Sequence, residues 1–289
     1  MHPILGQLEL GDRVVTVGAY STFMVLAWLV ALGLGVGVSR LRGLSTWRVL
    51  VVLTASLALG LVGARLFDVL TVWGHYSVQP GRIVGLGFTG FSLYGGLVAA
   101  LTAGALLARR LGLPLWRLAD SIVPGLAAGI VLMRTGCLLH GCCFGKVTDL
   151  PWGIQYAVGS PAWEFQLVSG RTGVLGLAGA VEPVQPTQVY EMMAAAILAA
   201  MALWFSSRRD PTGQARHAEG LGFLTFALSF TLFRLGNGFL RESTLRAPLQ
   251  GWFYPALYLA ICAVIALFWW SRFRAGLPAP VPQEEDGRE

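Results

Sequence analysis

Seven apolar stretches, separated by short polar segments, dominate the pattern of hydrophobic positions along the chain. Each has the roughly 20 residues that a helix needs to cross a bilayer. The pattern predicts an all-α, polytopic membrane protein with seven transmembrane helices. The first stretch has no basic segment before it and no small-residue cleavage site, so we expect a retained span and not a signal peptide. The stretches cover about residues 14–38, 50–72, 88–108, 118–138, 187–206, 219–240 and 251–271.

The composition agrees with a membrane protein. Hydrophobic residues make up 55% of the 289 residues and charged residues only 12%, against roughly 25% in soluble domains. This charge is too sparse to cover a soluble surface, and the high apolar content excludes a disordered chain. The net charge of +6 would suit nucleic acid, but the arginines lie in short clusters between apolar stretches, so we predict no nucleic-acid partner.

The arginine clusters predict the orientation of the chain. They follow the first, third, fifth and seventh stretches, and basic loops stay on the cytoplasmic side. We therefore expect the N-terminus outside and the C-terminus in the cytoplasm. Residues 1–277 form the predicted membrane domain, in which 139–186 is a small outer cap, and the Pro-rich, acidic tail 278–289 is predicted to be disordered. The clusters contain Arg40, Arg42, Arg48, Arg109, Arg110, Arg117, Arg208, Arg209, Arg216, Arg272, Arg274 and Arg288.

Arginines inside the predicted spans are the first candidates for a functional site, because charge is costly in a bilayer and usually faces a bundle interior. Arg65, Arg134 and Arg234 lie in spans or at their outer ends, and Arg241 follows Arg234 by two helical turns on the same face. Converging guanidiniums suit a phosphate or carboxylate, which the planar fork binds bidentately. The alternative for Arg65 is a structural ion pair with Asp68, three residues further on.

A polar group opens the fifth stretch. Gln188 and Glu191 are three residues apart and share a helix face, with Tyr190 beside them. The helix dipole favours an acid near a helix N-terminus, so Glu191 is either a structural charge or part of a binding site. The sequence leaves both interpretations open.

The third stretch contains a glycine pair, Gly95 and Gly96, preceded by Ser92 and Tyr94. Paired glycines allow the close approach of a neighbouring helix or of a ligand. The Tyr94 hydroxyl can donate or accept a hydrogen bond, or exchange a proton if its pKa is lowered.

A cysteine group lies at the end of the fourth stretch: Cys137, His140, Cys142 and Cys143 fall within seven residues. One interpretation is a soft-metal site, although the spacing differs from the paired CxxC of zinc sites. Others are a disulfide involving Cys137, a reactive thiolate activated by His140 and nearby arginines, or inert packing. Cys262, alone in the seventh stretch, is expected to be a small buried side chain.

Taken in order, these motifs make the chain resemble the bacterial prolipoprotein diacylglyceryl transferase family over nearly its whole length. The resemblance implies that a diacylglyceryl group moves from phosphatidylglycerol to the thiol of a lipobox cysteine in a signal-peptide-bearing precursor, and that glycerol phosphate leaves. It also implies a multi-pass protein of the bacterial inner membrane whose active site faces the periplasm. The motifs are Gly63–Phe67, Phe91–Gly96, Arg134–Gly145, Asp149–Gly153 and Pro186–Glu191.

Residue by residue, the resemblance matches the family's essential arginines to Arg134 and Arg234 and its essential acid to Glu191. It matches a first-span tyrosine to Tyr20. The glycine that closes the family signature corresponds to Gly145, and a second arginine of the sixth span to Arg241.

The chain departs from the family pattern at positions ascribed to proton transfer and polar contacts. The histidine usually found in the third-span glycine motif is Tyr94, and the histidine before the Pro-Thr-Gln motif is Gln185. Where the family signature has two asparagines, this chain has Cys137 and His140. Where the signature has a glutamate, the chain has Cys142, and Gly238 stands in place of a sixth-span glutamate. We expect His140 to replace the missing base, and a thiol to be able to form a covalent intermediate.

The resemblance therefore implies a transferase that needs no cofactor, while a metal bound at His140 and the cysteines stays open. Two alternatives stay open: a paralogue that passes a phospholipid group to another acceptor, and a thiol-redox or metal-binding membrane protein that uses His140–Cys143. The expected catalytic residues are Tyr94, His140, Cys142, Cys143, Glu191 and Arg234. The expected substrate-binding residues are Tyr20, Arg65, Ser92, Gly95, Gly96, Arg134, Cys137, Gly145, Gln188, Tyr190 and Arg241.

Overall fold

Long apolar helices make up most of the protein. The computed structural model describes residues 4–10, 13–71, 73–84, 92–169, 181–208, 217–242 and 253–275. Within these ranges, six helices are long and apolar enough to cross a membrane. They are α1 (Ala19–Leu41), α2 (Thr46–Thr71), α5 (Leu115–His140), α7 (Thr187–Ser206), α8 (Leu221–Leu240) and α9 (Phe253–Ala275).

The remaining helical elements are shorter. They are α3 (Trp73–Val78), a 3-10 turn (Pro80–Val84), α4 (Leu93–Arg110) and α6 (Pro161–Val168). Helix α4 corresponds to the predicted third span, with 18 residues that end in two arginines, and residues 85–91 before it lie outside the described part of the chain. Six of the seven predicted spans are thus confirmed as helices of membrane-spanning length. The remaining one, the third span, stays a prediction.

The N-terminus differs from the prediction. Strands β1 (Ile4–Leu10) and β2 (Arg13–Gly18) form an antiparallel hairpin, and α1 begins only at Ala19. The predicted helix start near residue 14 was therefore wrong. The physical reason is the β-branched run Val14–Val17, which favours extended backbone although its apolar character resembles the start of a span.

Helix α5 is the centre of the bundle. It packs against α1 on one side and α7 on another, and α7 leads through α8 to α9. Close contact with α1 depends on Gly125 and Gly136: a Cβ at Gly125 would lie 2.5 Å from the Ala31 carbonyl oxygen, and one at Gly136 would lie 2.8 Å from Phe23 Cβ. Small residues let membrane helices approach in this way.

A second glycine contact joins α2 to α4. A Cβ at Gly95 would lie 2.4 Å from the Gly63 carbonyl oxygen, and one at Gly96 would lie 3.1 Å from Ala64 Cβ. The two glycines of the third stretch therefore pack against a neighbouring helix. Of the two interpretations of this pair, the helix-packing one accounts for the described contacts.

Asp120, a buried acid in α5, accepts hydrogen bonds from the first turn of α8. Its carboxylate receives the Gly220 N–H at 2.7 Å and the Phe223 N–H at 2.8 Å. These are backbone donors that a helix start leaves without a partner, and the helix dipole favours a negative charge there. The acid therefore fixes where α8 begins relative to α5.

We expect Asp120→Ala to lower the free energy of unfolding by about 2 kcal/mol, because two buried N–H groups lose their acceptor. Thermal unfolding in detergent measures the change. The matched control is Glu219→Ala, which breaks an exposed ion pair with Arg117 and is expected to cost under about 1 kcal/mol. Equal effects of the two substitutions would contradict the capping role.

The segment after α5 is tied to the start of α7 and the end of α8 by backbone hydrogen bonds. Gly145 N–H donates to the Gln185 carbonyl at 2.9 Å, Gln185 N–H to the Lys146 carbonyl at 2.9 Å, and Lys146 N–H to the Leu240 carbonyl at 2.8 Å. Buried Gln166 of α6 exchanges two hydrogen bonds with the Glu182 backbone. The described part of segment 139–186 is thus held against one end of α5, α7 and α8, whereas the tail 278–289 lies outside the described residues.

Candidate active site

The centre of the site is a carboxylate shared by two arginines. Arg134 Nε of α5 lies 2.5 Å from Glu191 Oε2 of α7, and Arg234 Nη1 of α8 lies 3.4 Å from the same oxygen. Glu191 is 3% exposed and Arg134 is 6% exposed. Neither arginine has an acid within a helical turn of it on its own helix. The acid comes from a neighbouring helix, and three helices meet at one charged cluster.

Asn237 and Tyr258 complete this cluster, and the sequence analysis missed both. Asn237 Nδ2 donates to Glu191 Oε1 at 3.2 Å and to the Thr187 carbonyl at 3.3 Å, and Arg234 Nε donates to the Tyr258 hydroxyl at 3.3 Å. The available signal was the three-residue spacing between Arg234 and Asn237, which places both on one face of α8. Tyr258 in α9 carried no such signal.

The cluster carries a net charge of +1, from two guanidiniums and one carboxylate. This charge complements a single phosphodiester anion. Among the described residues, Arg134 uses Nε for Glu191 and Nη1 for the Cys137 sulfur at 3.8 Å. A guanidinium has five N–H donors, so each arginine retains donors that can bind an anion.

Three thiols converge beside Arg134. The Sγ atoms of Cys137, Cys142 and Cys143 all lie within 4.8 Å of one another, and all are free thiols. Gly141 ends α5 in the left-handed conformation at φ 78°, and Cys143 adopts φ 64°, which is uncommon for a residue with a side chain. The turn brings residues 142 and 143 back towards the end of the helix.

Cys142 and Cys143 follow α5, and their surroundings shift their pKa values in opposite directions. Hydrogen bonds with Cys137 and Cys142, followed by the positive charges of Arg241 and Arg134, lower the pKa of Cys143 well below its usual value although burial opposes them. Hydrogen bonds with Cys137 and Cys143 and burial raise the pKa of Cys142. Cys143 is therefore the thiol of this pair that ionises more readily.

His140 does not join the three thiols. Its ring lies beside Tyr20 of α1, with ring centroids 5.9 Å apart, and it borders a small cleft formed by residues 156–160. The predicted four-residue group thus divides into a compact set of three sulfurs and a histidine that contacts the first-span tyrosine.

The first turn of α7 holds the thiol loop in place. Gln188 Nε2 donates to the Cys142 carbonyl at 2.7 Å and to the Tyr156 hydroxyl at 2.9 Å, and the Thr187 hydroxyl donates to the Cys143 carbonyl at 2.8 Å. Gln188 is therefore a positioning residue for the loop. Tyr156 was missed because it lies outside every apolar stretch.

Tyr190 connects α7 to the segment between α5 and α7. Its hydroxyl donates to Gln185 Oε1 at 2.7 Å and receives the Trp152 indole N–H at 2.7 Å. Gln185 Nε2 in turn donates to the Thr148 hydroxyl at 3.0 Å. The start of α7 is thereby fixed against the segment that follows α5.

Gly145 and Arg241 form an antiparallel backbone bridge at the end of α8. A Cβ at Gly145 would lie 2.5 Å from Gln185 Cβ and 2.8 Å from the carbonyl oxygens of Gln185 and Leu240. Only a glycine fits between these two segments of the backbone. The described contacts therefore explain Gly145 by packing. The Arg241 guanidinium acts electrostatically on Cys143.

Other predicted site residues lie on α2 and α4. Arg65 Nε donates to the Ile83 carbonyl at 3.1 Å and its guanidinium lies over the Tyr76 ring, whose hydroxyl donates to Asp68. Ser92 N–H donates to the Ala64 carbonyl at 3.0 Å. The side chain of Tyr94 lies outside the described residues.

Comparison with known proteins identifies the family. A family model described as prolipoprotein diacylglyceryl transferase matches residues 8–271. The chain belongs to the prolipoprotein diacylglyceryl transferase family. The matched range includes every residue of the charged cluster and the three clustered cysteines. Together with the six long apolar helices, membership makes the chain a multi-pass bacterial membrane protein.

Curated relatives named phosphatidylglycerol–prolipoprotein diacylglyceryl transferase agree with this assignment. The protein of Nitratidesulfovibrio vulgaris is 31% identical over 216 residues, which cover 74% of this chain and 71% of that protein. The protein of Nostoc sp. is 26% identical over 300 aligned positions, covering 99% and 95%. The protein of Rhodopirellula baltica is 32% identical over 180 residues, and the alignment spans only 36% of its length.

Proposed function

We propose that the protein transfers a diacylglyceryl group from phosphatidylglycerol to the thiol of a lipobox cysteine in signal-peptide-bearing prolipoproteins. The observation that carries this proposal is the buried Arg134–Glu191–Arg234 cluster, whose net charge of +1 complements the phosphodiester of the donor lipid. Family membership and the names of the relatives support the same reaction.

The donor phosphate is held between the two central arginines. Glu191 accepts hydrogen bonds from both guanidiniums and from Asn237, so it fixes their direction before the lipid arrives. Pre-oriented charges stabilise a transition state without the reorganisation that water would need. Glu191 is in this scheme a positioning residue, and Arg134 and Arg234 contact the substrate.

The chemical step is a substitution at carbon. The acceptor sulfur bonds to the glycerol carbon, the bond from that carbon to the phosphate oxygen breaks, and glycerol phosphate leaves. The negative charge that develops on the leaving phosphate lies between the arginines. Tyr20, Arg65 and Arg241 are further proposed contacts for the lipid.

The acceptor thiol must lose its proton, because a free cysteine has a pKa of about 8.5. His140 lies at the outer end of α5 beside Tyr20 and is the proposed proton acceptor among the described residues. Tyr94 is the second proposed group for proton transfer. Cys142 or Cys143 would form a covalent intermediate in the alternative in which a thiol attacks the lipid first.

The proposed topology has seven spans in the bacterial inner membrane, with the N-terminus and the cap 139–186 outside and the tail 278–289 in the cytoplasm. Basic residues in the last turns of α1, α4 and α9 support this orientation, because basic ends stay in the cytoplasm. The charged cluster involves the end of α5 and the start of α7, which this topology places towards the periplasm.

Complementation tests the reaction directly. A bacterial strain depleted of its own transferase receives the gene, and labelled fatty acid is followed into a lipoprotein precursor. We expect labelling and growth with the wild-type protein and neither with Arg134→Met at equal membrane abundance. A wild-type protein that is made and inserted but labels no precursor contradicts the proposal and favours a paralogue with another acceptor.

A further inference from the structure

The three clustered cysteines take no part in the lipid-binding scheme proposed above. Cys137, Cys142 and Cys143 place three sulfur atoms within 4.8 Å of one another at the C-terminal end of α5. Zinc–sulfur bonds of about 2.3 Å put the sulfurs of a zinc site roughly 3.8–4.0 Å apart. The observed separations therefore need to shrink by about 1 Å or less for the three sulfurs to bind one ion.

The backbone holds these sulfurs in position. Cys142 N–H donates to the Cys137 carbonyl at 3.1 Å, and the carbonyls of Cys142 and Cys143 accept hydrogen bonds from Gln188 and Thr187. Cys143 keeps φ 64°, a left-handed conformation that is uncommon and unfavourable for a residue with a side chain. Such a conformation persists only where the surrounding contacts determine it, as they do here.

The local charge suits a metal held by three thiolates. One divalent ion with three thiolates carries a net charge of −1. Arg134 Nη1 lies 3.8 Å from the Cys137 sulfur, and Arg241 acts electrostatically on Cys143. The positive charges of Arg134 and Arg241 offset the negative charge of the metal and its three thiolates.

We propose that Cys137, Cys142 and Cys143 bind one thiophilic ion, Zn²⁺, and that its fourth coordination position takes the acceptor thiol. The second half of this inference rests on the proposed transferase function. Zinc sites with three protein ligands and one open position are typical of catalytic zinc, whereas structural sites are closed by four. Among the described residues, the metal-binding group contains these three cysteines and no fourth ligand.

As its sulfur bonds to zinc, the acceptor thiol releases its proton, which passes through water to His140, the proton acceptor proposed above. A thiol that coordinates zinc is deprotonated outright. The bound thiolate attacks the glycerol carbon with its electron pair, and the carbon–oxygen bond breaks with its electrons leaving on glycerol phosphate. The product is a thioether, a weaker zinc ligand than a thiolate, so it leaves the metal.

The first experiment measures the metal. The full-length protein is purified in detergent without chelator, its zinc is determined by elemental analysis, and Co²⁺ is titrated into metal-depleted protein. We expect about one Zn²⁺ per chain and a sulfur-to-cobalt charge-transfer band in the wild type. The matched control Cys262→Ser, a buried cysteine of α9 outside the group, keeps both, whereas Cys142→Ser and Cys137→Ser weaken binding at least about 10-fold.

Two results overturn the metal site without any activity measurement. One is a wild-type protein with free thiols that retains no zinc and gives no cobalt band. The other is a disulfide between two of the three cysteines in protein isolated without reductant. The Co²⁺ titration uses the wild-type protein. It therefore tests the site even if the serine variants fail to fold.

The second experiment tests the fourth position. Transfer from phosphatidylglycerol to a lipobox peptide is measured in liposomes before chelation, after it, and after Zn²⁺ is returned. We expect a loss of about 100-fold on chelation and recovery with Zn²⁺. Full activity of the zinc-free protein overturns the role of the metal and leaves the proposed transferase standing. No transfer by the zinc-loaded protein overturns the proposed function and the role of the fourth position together.

Discussion

Arg134→Met is expected to lower the rate of diacylglyceryl transfer by about 100- to 1000-fold, the usual effect of removing one donor that stabilises a developing anion. The substitution changes the charge of the cluster from +1 to 0, so the phosphodiester loses its complement. Methionine keeps much of the side-chain volume. Initial rates with labelled phosphatidylglycerol and a lipobox peptide in liposomes measure the effect.

The fold is expected to survive this change, because Glu191 keeps Arg234 at 3.4 Å and Asn237 at 3.2 Å. Arg134→Lys retains the charge but not the planar fork, so its activity should lie between those of the wild type and Arg134→Met. The matched control is Arg117→Met, which removes an exposed arginine paired with Glu219 and should leave transfer unchanged. An Arg134→Met protein that is folded and retains near-wild-type transfer would contradict the proposed donor site.

Gly145→Ala is expected to destabilise the protein by about 2–3 kcal/mol, near the upper end for overpacking. The added methyl group would meet Gln185 Cβ at 2.5 Å and two carbonyl oxygens at 2.8 Å. These are mostly backbone atoms of two different segments, which cannot turn aside as a flexible side chain does. Thermal unfolding in detergent measures the loss.

Activity should fall as well, because Gln185 precedes the first turn of α7 and Leu240 precedes Arg241. The matched control is Gly236→Ala in α8, where a Cβ meets no atom within 4 Å among the described residues. Alanine there should be neutral or stabilising by up to about 1 kcal/mol, since it raises helix propensity. If Gly145→Ala unfolds like the wild type but binds donor lipid poorly, the glycine contacts the substrate directly.

The long helices could be predicted from the sequence because the requirement they meet is local. A span needs about 20 apolar residues in succession, and every backbone hydrogen bond closes within the segment. The start of α1 could not be predicted in the same way. Val14–Val17 are as apolar as the span they precede, and only pairing with β1 shows that they are extended.

The charged residues show the same division. A buried arginine or acid in an apolar helix is a functional candidate on energetic grounds alone, so Arg134, Glu191 and Arg234 were found in the sequence. That one carboxylate serves both arginines depends on three helices meeting. Asp120 was visible as an acid in a span, but its role became clear only from the first turn of α8, which lies 100 residues away.

The sequence by itself determined the class of protein, the approximate positions of six membrane-spanning helices and the charged side chains that are costly in a bilayer, because hydropathy and charge act residue by residue. The tertiary structure decided which of these residues meet. It joined Asn237 and Tyr258 to the charged cluster, set His140 beside Tyr20, and brought three sulfurs together around the end of α5. Such convergence depends on helix packing and on one left-handed turn, which act between residues far apart in the chain or through a backbone angle that residue types alone do not specify.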